Sequence, residues 1–136
     1  MNIQLDSGAM MPERAHDRDA GLDLRSPVSV WIPACGSLVI DTGVHMEIPF
    51  GYAGLLCGRS GLNIRHGITC DGVIDSGYTG SIRVKLYNHE HEPYKVERGD
   101  KIGQVLIIPV VSHDLVLVDS LEDTERGNRG FGSTGR

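Results

Sequence analysis

Aromatic side chains are scarce in this 136-residue chain, with two Phe, one Trp and four Tyr, so the core has to be built from aliphatic residues. Cysteine is scarcer still. Cys35, Cys57 and Cys70 are odd in number and widely spaced, without the C-x-x-C pairing of a zinc ribbon or redox couple. That usage suits a reducing compartment. Basic charge is also short, 13 Lys and Arg against 18 Asp and Glu for a net charge of -5, which argues against a duplex-binding face and hence against direct nucleic-acid binding. No apolar run is long enough to span a membrane, and the first residues lack the basic and apolar segments of an export leader. The expected setting is cytoplasmic, with no membrane partner. Neither G-x-x-x-x-G-K-[ST] nor a strand-turn-helix G-x-G-x-x-G is present.

What the chain does have is glycine, 18 residues of it, punctuating short apolar and β-branched runs. Strands are expected at 2–5, 22–25, 28–32, 37–42, 45–48, 53–57, 68–70, 81–88, 94–96, 101–110 and 115–118. Many short strands at this spacing imply an all-β sandwich or barrel. Helix is confined to a turn or two near residues 60–64. The clearest alternation is at 80–88, where Ile82, Val84 and Leu86 share a buried face opposite Arg83, Lys85 and Tyr87. By contrast Val105–Val111 is apolar on both faces, so its outer face needs cover from another copy of the chain or from its own loops.

Five polar, glycine-flanked segments stand out. Ala20–Ser26 carries Asp23, able to hold a water of a hydrated cation or to cap a turn. In Gly58–Leu62, Arg59 and Ser60 offer donors and Gly61 bares its amide; in Arg98–Gln104, Gln104 adds a neutral donor and acceptor. Gly67–Gly80 reads as a hairpin in which Gly72 permits close approach of a flat ligand, while Val73 and Ile74 lead to Asp75 at the rim of the core and Tyr78 stands beside it. An Asx-type turn at Asp75–Ser76 with Tyr78 plugging the core edge explains the same residues. The last segment, Arg126–Arg136, sets Phe131 among Arg126, Arg129, Ser133, Thr134 and four glycines. It reads either as a phosphate clamp with a stacking platform, which describes a nucleotide, or as a glycine-rich disordered end.

In order and content these segments resemble the five motifs of the homotrimeric deoxyuridine triphosphatases (dUTP pyrophosphatases), a likeness that spans nearly the whole chain. It implies a jelly-roll-like β-barrel domain over 1–125, with 126–136 a flexible Gly-rich C-terminal arm acting as a mobile lid. It also implies a homotrimer with shared active sites and hydrolysis of dUTP to dUMP and pyrophosphate, which limits uracil incorporation into DNA and supplies dUMP for thymidylate synthesis. On this likeness Asp75 activates the water that attacks the α-phosphorus, and Tyr78 packs on the deoxyribose. Uracil enters the 67–77 hairpin, against Thr69, Gly72, Val73 and Ile74. Arg59, Ser60, Gly61 and Gln104 hold phosphate oxygens. The tail lays Phe131 and Gly132 over the base while Arg126, Ser133 and Thr134 close on the γ-phosphate. Mg2+ is the implied metal, touched by Asp23 through water with no direct protein ligand.

Three positions depart from the family pattern. Thr69 stands where asparagine is frequent, Arg129 where glycine is usual and Gly58 where proline is common, which leaves the roles of Thr69 and Arg129 open. A dCTP deaminase shares the barrel and trimer but has a differently built lid. A nucleotide-sensing module would bind without cleaving, and a purely structural jelly roll would make all five segments accidental.

Overall fold

The computed structural model describes residues 1–129, so Phe131, Gly132, Ser133 and Thr134 lie outside the described residues. Eleven strands and one short helix follow in the order β1 (Ile3–Leu5), β2 (Gly21–Arg25), β3 (Val30–Ile32), β4 (Ser37–Asp41), β5 (Val44–Met46), β6 (Tyr52–Cys57), α1 (Ser60–His66), β7 (Ile68–Thr69), β8 (Asp71–Ile74), β9 (Arg83–Asn88), β10 (Tyr94–Val96) and β11 (Lys101–Pro109). They pair into four sheets, ordered β1-β5, β10-β3, β2-β11-β6-β8 and β4-β9-β7. The architecture is predominantly β and consistent with a jelly roll. Among the described residues the ladders do not join into one closed ring.

Side-chain alternation sets the register. In β9, Val84, Leu86 and Asn88 are buried while Arg83 and Lys85 are exposed, and Ile82 just before the strand joins the same core. Leu24, Ile32, Leu56, Ile102 and Val105 pack from the other sheets into that aliphatic interior. Cys70 is part of it, and burial pushes its thiol up to about 11, so it stays a neutral core group. α1 ends where Gly67 takes a left-handed φ of 58°, a conformation glycine adopts at little cost.

Three strand expectations need correction. Residues 115–118 form no strand, and Leu115 and Leu117 are 98% and 99% exposed; apolar β-formers cannot make a ladder without a partner edge. Val28 is kept out of β3 because its N–H and C=O are both taken by the Ser26 hydroxyl, at 3.3 and 2.7 Å. The segment expected as one strand at 68–70 splits at Cys70. β7 pairs with β9 and β8 pairs with β6, so the 67–80 hairpin parts beyond Thr69 instead of zipping.

β11 keeps its outer face open. Register places Gln104, Cys57 and Asp71 in one row and Leu106, Leu55 and Val73 in the next. Leu55, Leu106 and Ile108 are half-buried, and Val73 is 68% exposed. The chain's own loops do not hide this stripe.

Candidate active site

The sequence-distant donors of the first, second and fourth motifs meet in one cleft of about 370 Å³, lined by Gly21, Asp23, Arg59, Ser60 and Gln104 among others. β2 and β11 bring Asp23 and Gln104 side by side, and β6 delivers Arg59 and Ser60 just past Cys57. Gln104 reaches across Gly21 toward the Gly58 carbonyl, to which its Nε2 donates at 3.4 Å. A Cβ on Gly21 would collide with Gln104 Oε1, so glycine there is a condition for the glutamine's position. Gly21→Ala should therefore displace Gln104 and raise KM for a ligand that occupies this cleft, with a smaller effect on thermal stability; steady-state kinetics beside a melting curve would check this.

Asp23 is 5% exposed and held by two cations, Arg59 Nε at 3.2 Å and Lys101 Nζ at 2.7 Å. The carboxylate is thereby neutralised in place, and the Arg59 guanidinium is anchored at the cleft wall. Lys101, which lines the neighbouring cavity and not this cleft, is a support for Asp23 that sequence reasoning missed, and no local pattern distinguishes it from a solvated lysine. The surrounding frame is tied together as well: Arg25 bonds the Gly99 carbonyl at 2.8 Å and Glu13 at 2.5 Å, while Ser26 and the Gly99–Asp100 turn exchange backbone bonds.

These residues do not fit a protein-held Mg2+. Both Asp23 oxygens already face cations, and no three His, Cys, Asp or Glu gather as a metal cage among the described residues.

The third motif builds a different surface. Where the hairpin parts, β8 is the outer strand of its sheet, and β7 covers β9 only at Tyr87 and Asn88. Each of these strands consequently keeps a backbone edge without a strand partner, β8 along its outer side and β9 before Tyr87. A Cβ on Gly72 would meet nothing closer than Leu56 at 3.7 Å, so the chain's own packing does not require glycine there. Thr69 Oγ1 is hydrogen-bonded to His89 Nε2 at 2.8 Å, a partner the sequence did not signal. Asp75 is exposed just beyond β8, in a turn closed by Tyr78 N–H donating to its carbonyl at 3.0 Å. Tyr78 donates its hydroxyl to the Ser81 carbonyl at 2.9 Å and lies over Gly80, where a Cβ would come within 2.5 Å of that hydroxyl.

The two surfaces are separated within one chain. Ile74 pairs with Gly54 and Asp71 with Cys57, so Asp75 and Arg59 lie beyond opposite ends of the same ladder, on the order of 15 Å apart at about 3.3 Å per residue. Arg126 makes no hydrogen bond to either surface among the described residues. It is exposed and bonded to the Arg129 carbonyl in a turn. Gly61 lies under the Arg65 guanidinium at the start of α1.

A family model described as dUTPase matches residues 7–135. The deoxyuridine 5'-triphosphate nucleotidohydrolase of Clostridium acetobutylicum is 43% identical over 135 residues, covering 97% of this chain and 93% of that protein. The Staphylococcus bacteriophage 80alpha dUTPase solved with dUPNHPP superposes with a TM-score of 0.92 at 33% identity, covering 99% of this chain and 98% of that one. A mutant dUTPase from phage phi11 of S. aureus, with a TM-score of 0.82, 29% identity and coverage of 90% and 100%, reveals the coordination of a structural Mg(II) ion.

Proposed function

The chain belongs to the dUTPase family, and from that premise we propose that it hydrolyses dUTP to dUMP and pyrophosphate in a homotrimer whose active sites are shared between copies. The observation that carries the sharing is the separation of Asp75 from the Arg59, Ser60 and Gln104 cleft along the β6–β8 ladder. One ligand can touch both surfaces when they come from different copies. The open apolar row of Leu55, Leu106 and Val73 supplies a surface for such a contact. Closure of the jelly-roll barrel, with residues 1–125 as its domain, belongs to the same proposal.

In this reading the unpaired edges of β8 and β9 bound a slot that uracil enters, and their backbone groups read its polar edge. A carbonyl accepts from uracil N3–H but faces only a lone pair on cytosine N3, so dCTP is rejected. Gly72, Val73 and Ile74 wall the slot too closely for a 5-methyl group, so dTTP is excluded. Tyr78, fixed by Ser81 and Gly80, packs on the deoxyribose and leaves no space for a 2'-hydroxyl.

Asp75 accepts a proton from water as the water oxygen bonds to the α-phosphorus; the bond from that phosphorus to the α,β-bridging oxygen breaks, and pyrophosphate leaves. A carboxylate is a weak base, and holding water and phosphorus at near-attack distance offsets this. Arg59, the Ser60 hydroxyl, the Gly61 amide and Gln104 receive the phosphate oxygens of a neighbouring copy's nucleotide. Mg2+ enters as part of the substrate, a magnesium–dUTP complex. Arg126, Phe131, Gly132, Ser133 and Thr134, from the 126–136 arm, close over base and γ-phosphate. Pyrophosphate and dUMP formed from dUTP, with dTTP, dCTP and UTP as controls, test the proposal; ammonia from dCTP or binding without cleavage would replace it.

A further inference from the structure

We propose that His45, which lies outside all five motifs, is a positioning residue that holds the Asp75–Ser81 loop in its working shape through the Thr79 carbonyl. The inference rests on the reading of Asp75 as the catalytic carboxylate and extends it to what supports that residue.

His45 sits on β5 opposite Gln4 of β1, and its Nδ1 donates to the Thr79 carbonyl at 2.8 Å. On the other side of the ring, Nε2 lies 3.2 Å from Asp6 Oδ2. That nitrogen is shut away from water without an aligned hydrogen bond, so its contact with Asp6 works through charge. Both ring nitrogens thus face oxygens that only accept, a carbonyl and a carboxylate. A neutral imidazole has one N–H and satisfies one of them; the imidazolium satisfies both.

The charges around the ring favour this form. Asp6 comes from the turn after β1, Asp41 from the end of β4 and Glu47 from beyond β5. Opposing them, Arg83 of β9 is 3.4 Å from Asp41, and Asn2 takes up Glu47 at 2.6 Å. The Thr79 carbonyl first, and then Asp6, hold the His45 pKa above its usual 6.5.

The loop is held at two further points. The Ser81 hydroxyl donates to Asp41, and the Ser81 carbonyl accepts from Tyr78. Tyr78 adjoins these anchors, and the turn bond from its N–H to the Asp75 carbonyl passes their restraint on to Asp75. Because the folded pKa of His45 is raised, the two-sided anchoring, on Thr79 and Asp6 together, is fully present below about pH 6.5, and as pH rises through the higher folded value the ring keeps a single N–H that can hold only one of the two oxygens. Loosening of the loop is an alkaline event.

The test compares kcat and KM from about pH 6 to 10 for wild type, His45→Asn, His45→Ala and Asp6→Asn, with the Tyr78 and Thr79 amide NMR signals followed over the same range. Asparagine carries an amide N–H near the position of Nδ1, so it keeps the Thr79 bond and does not titrate. His45→Ala should lose roughly ten- to hundredfold in kcat, the scale of a small misplacement of reacting groups, with KM little changed. His45→Asn should restore most of that turnover and lack the alkaline fall expected of wild type, and Asp6→Asn should move the fall to lower pH. The inference is overturned if His45→Ala keeps wild-type kcat and pH profile, or if asparagine rescues nothing. Should wild type fail to cleave dUTP, the functional reading fails by itself; Tyr78 and Thr79 signals that titrate with the His45 ring would still support the anchoring, and signals indifferent to it would overturn it.

Discussion

Replacing Asp75 with asparagine is expected to lower kcat for dUTP by roughly 10²- to 10⁴-fold, the range for loss of a general base, while affinity for a non-hydrolysable dUTP analogue changes little. The substitution is nearly isosteric, and Asp75 is exposed. Among the described residues its carboxylate has no hydrogen-bond or ion-pair partner whose loss would unsettle the fold. Thermal stability should therefore match wild type. Activity near wild type would remove Asp75 from the chemistry, and a lost melting transition would recast it as structural. Single-turnover rates and analogue binding, measured on the same preparation, separate these outcomes.

Deleting residues 126–136 should leave a folded, self-associating protein whose turnover has dropped by at least about a hundredfold, since removing a single preorganised donor from a phosphate or oxyanion site costs 10²–10³. Among the described residues the last backbone bond to the body is Val110 N–H to the Gly51 carbonyl at 2.9 Å. Beyond it, residues 111–129 make no hydrogen bond to the body, so among the described residues the truncation removes no hydrogen bond to the fold. Melting temperature and sedimentation should stay unchanged. Unfolding on truncation, or full activity without the segment, would contradict its role as a lid.

Legibility in the sequence followed the range of the interactions. β9 could be read because one face is buried, which ties its alternation to period two. The helix expected near 60–64 runs on to His66, and its stop at Gly67 is a local signal that the sequence reading did not use. Residues 115–118 have the composition of a strand and no partner, and composition does not report a missing edge. Val28 shows the converse, a β-former held out of its strand by one serine hydroxyl. The parting of the 67–80 hairpin depends on β6 and β9 competing for its two arms, a tertiary outcome. At the site, glycine-flanked donors marked the segments. Their contacts were not legible: the paired cations on Asp23, the seating of Gln104 over Gly21, and the His89 and His45 bonds each join residues far apart in sequence.

Central to the account is that Asp75 of one copy serves a nucleotide held by Arg59 of another. Asp75→Asn and Arg59→Gln chains, each inactive alone, should be co-assembled from equal amounts and assayed for dUTP hydrolysis. Random cyclic trimers would be mixed in about three cases of four, each mixed trimer with one site in three drawing both intact residues, so about a quarter of wild-type activity should return. If both residues of one chain serve the same ligand, no mixed trimer contains an intact site, and activity that stays at the level of the separate variants would contradict the account.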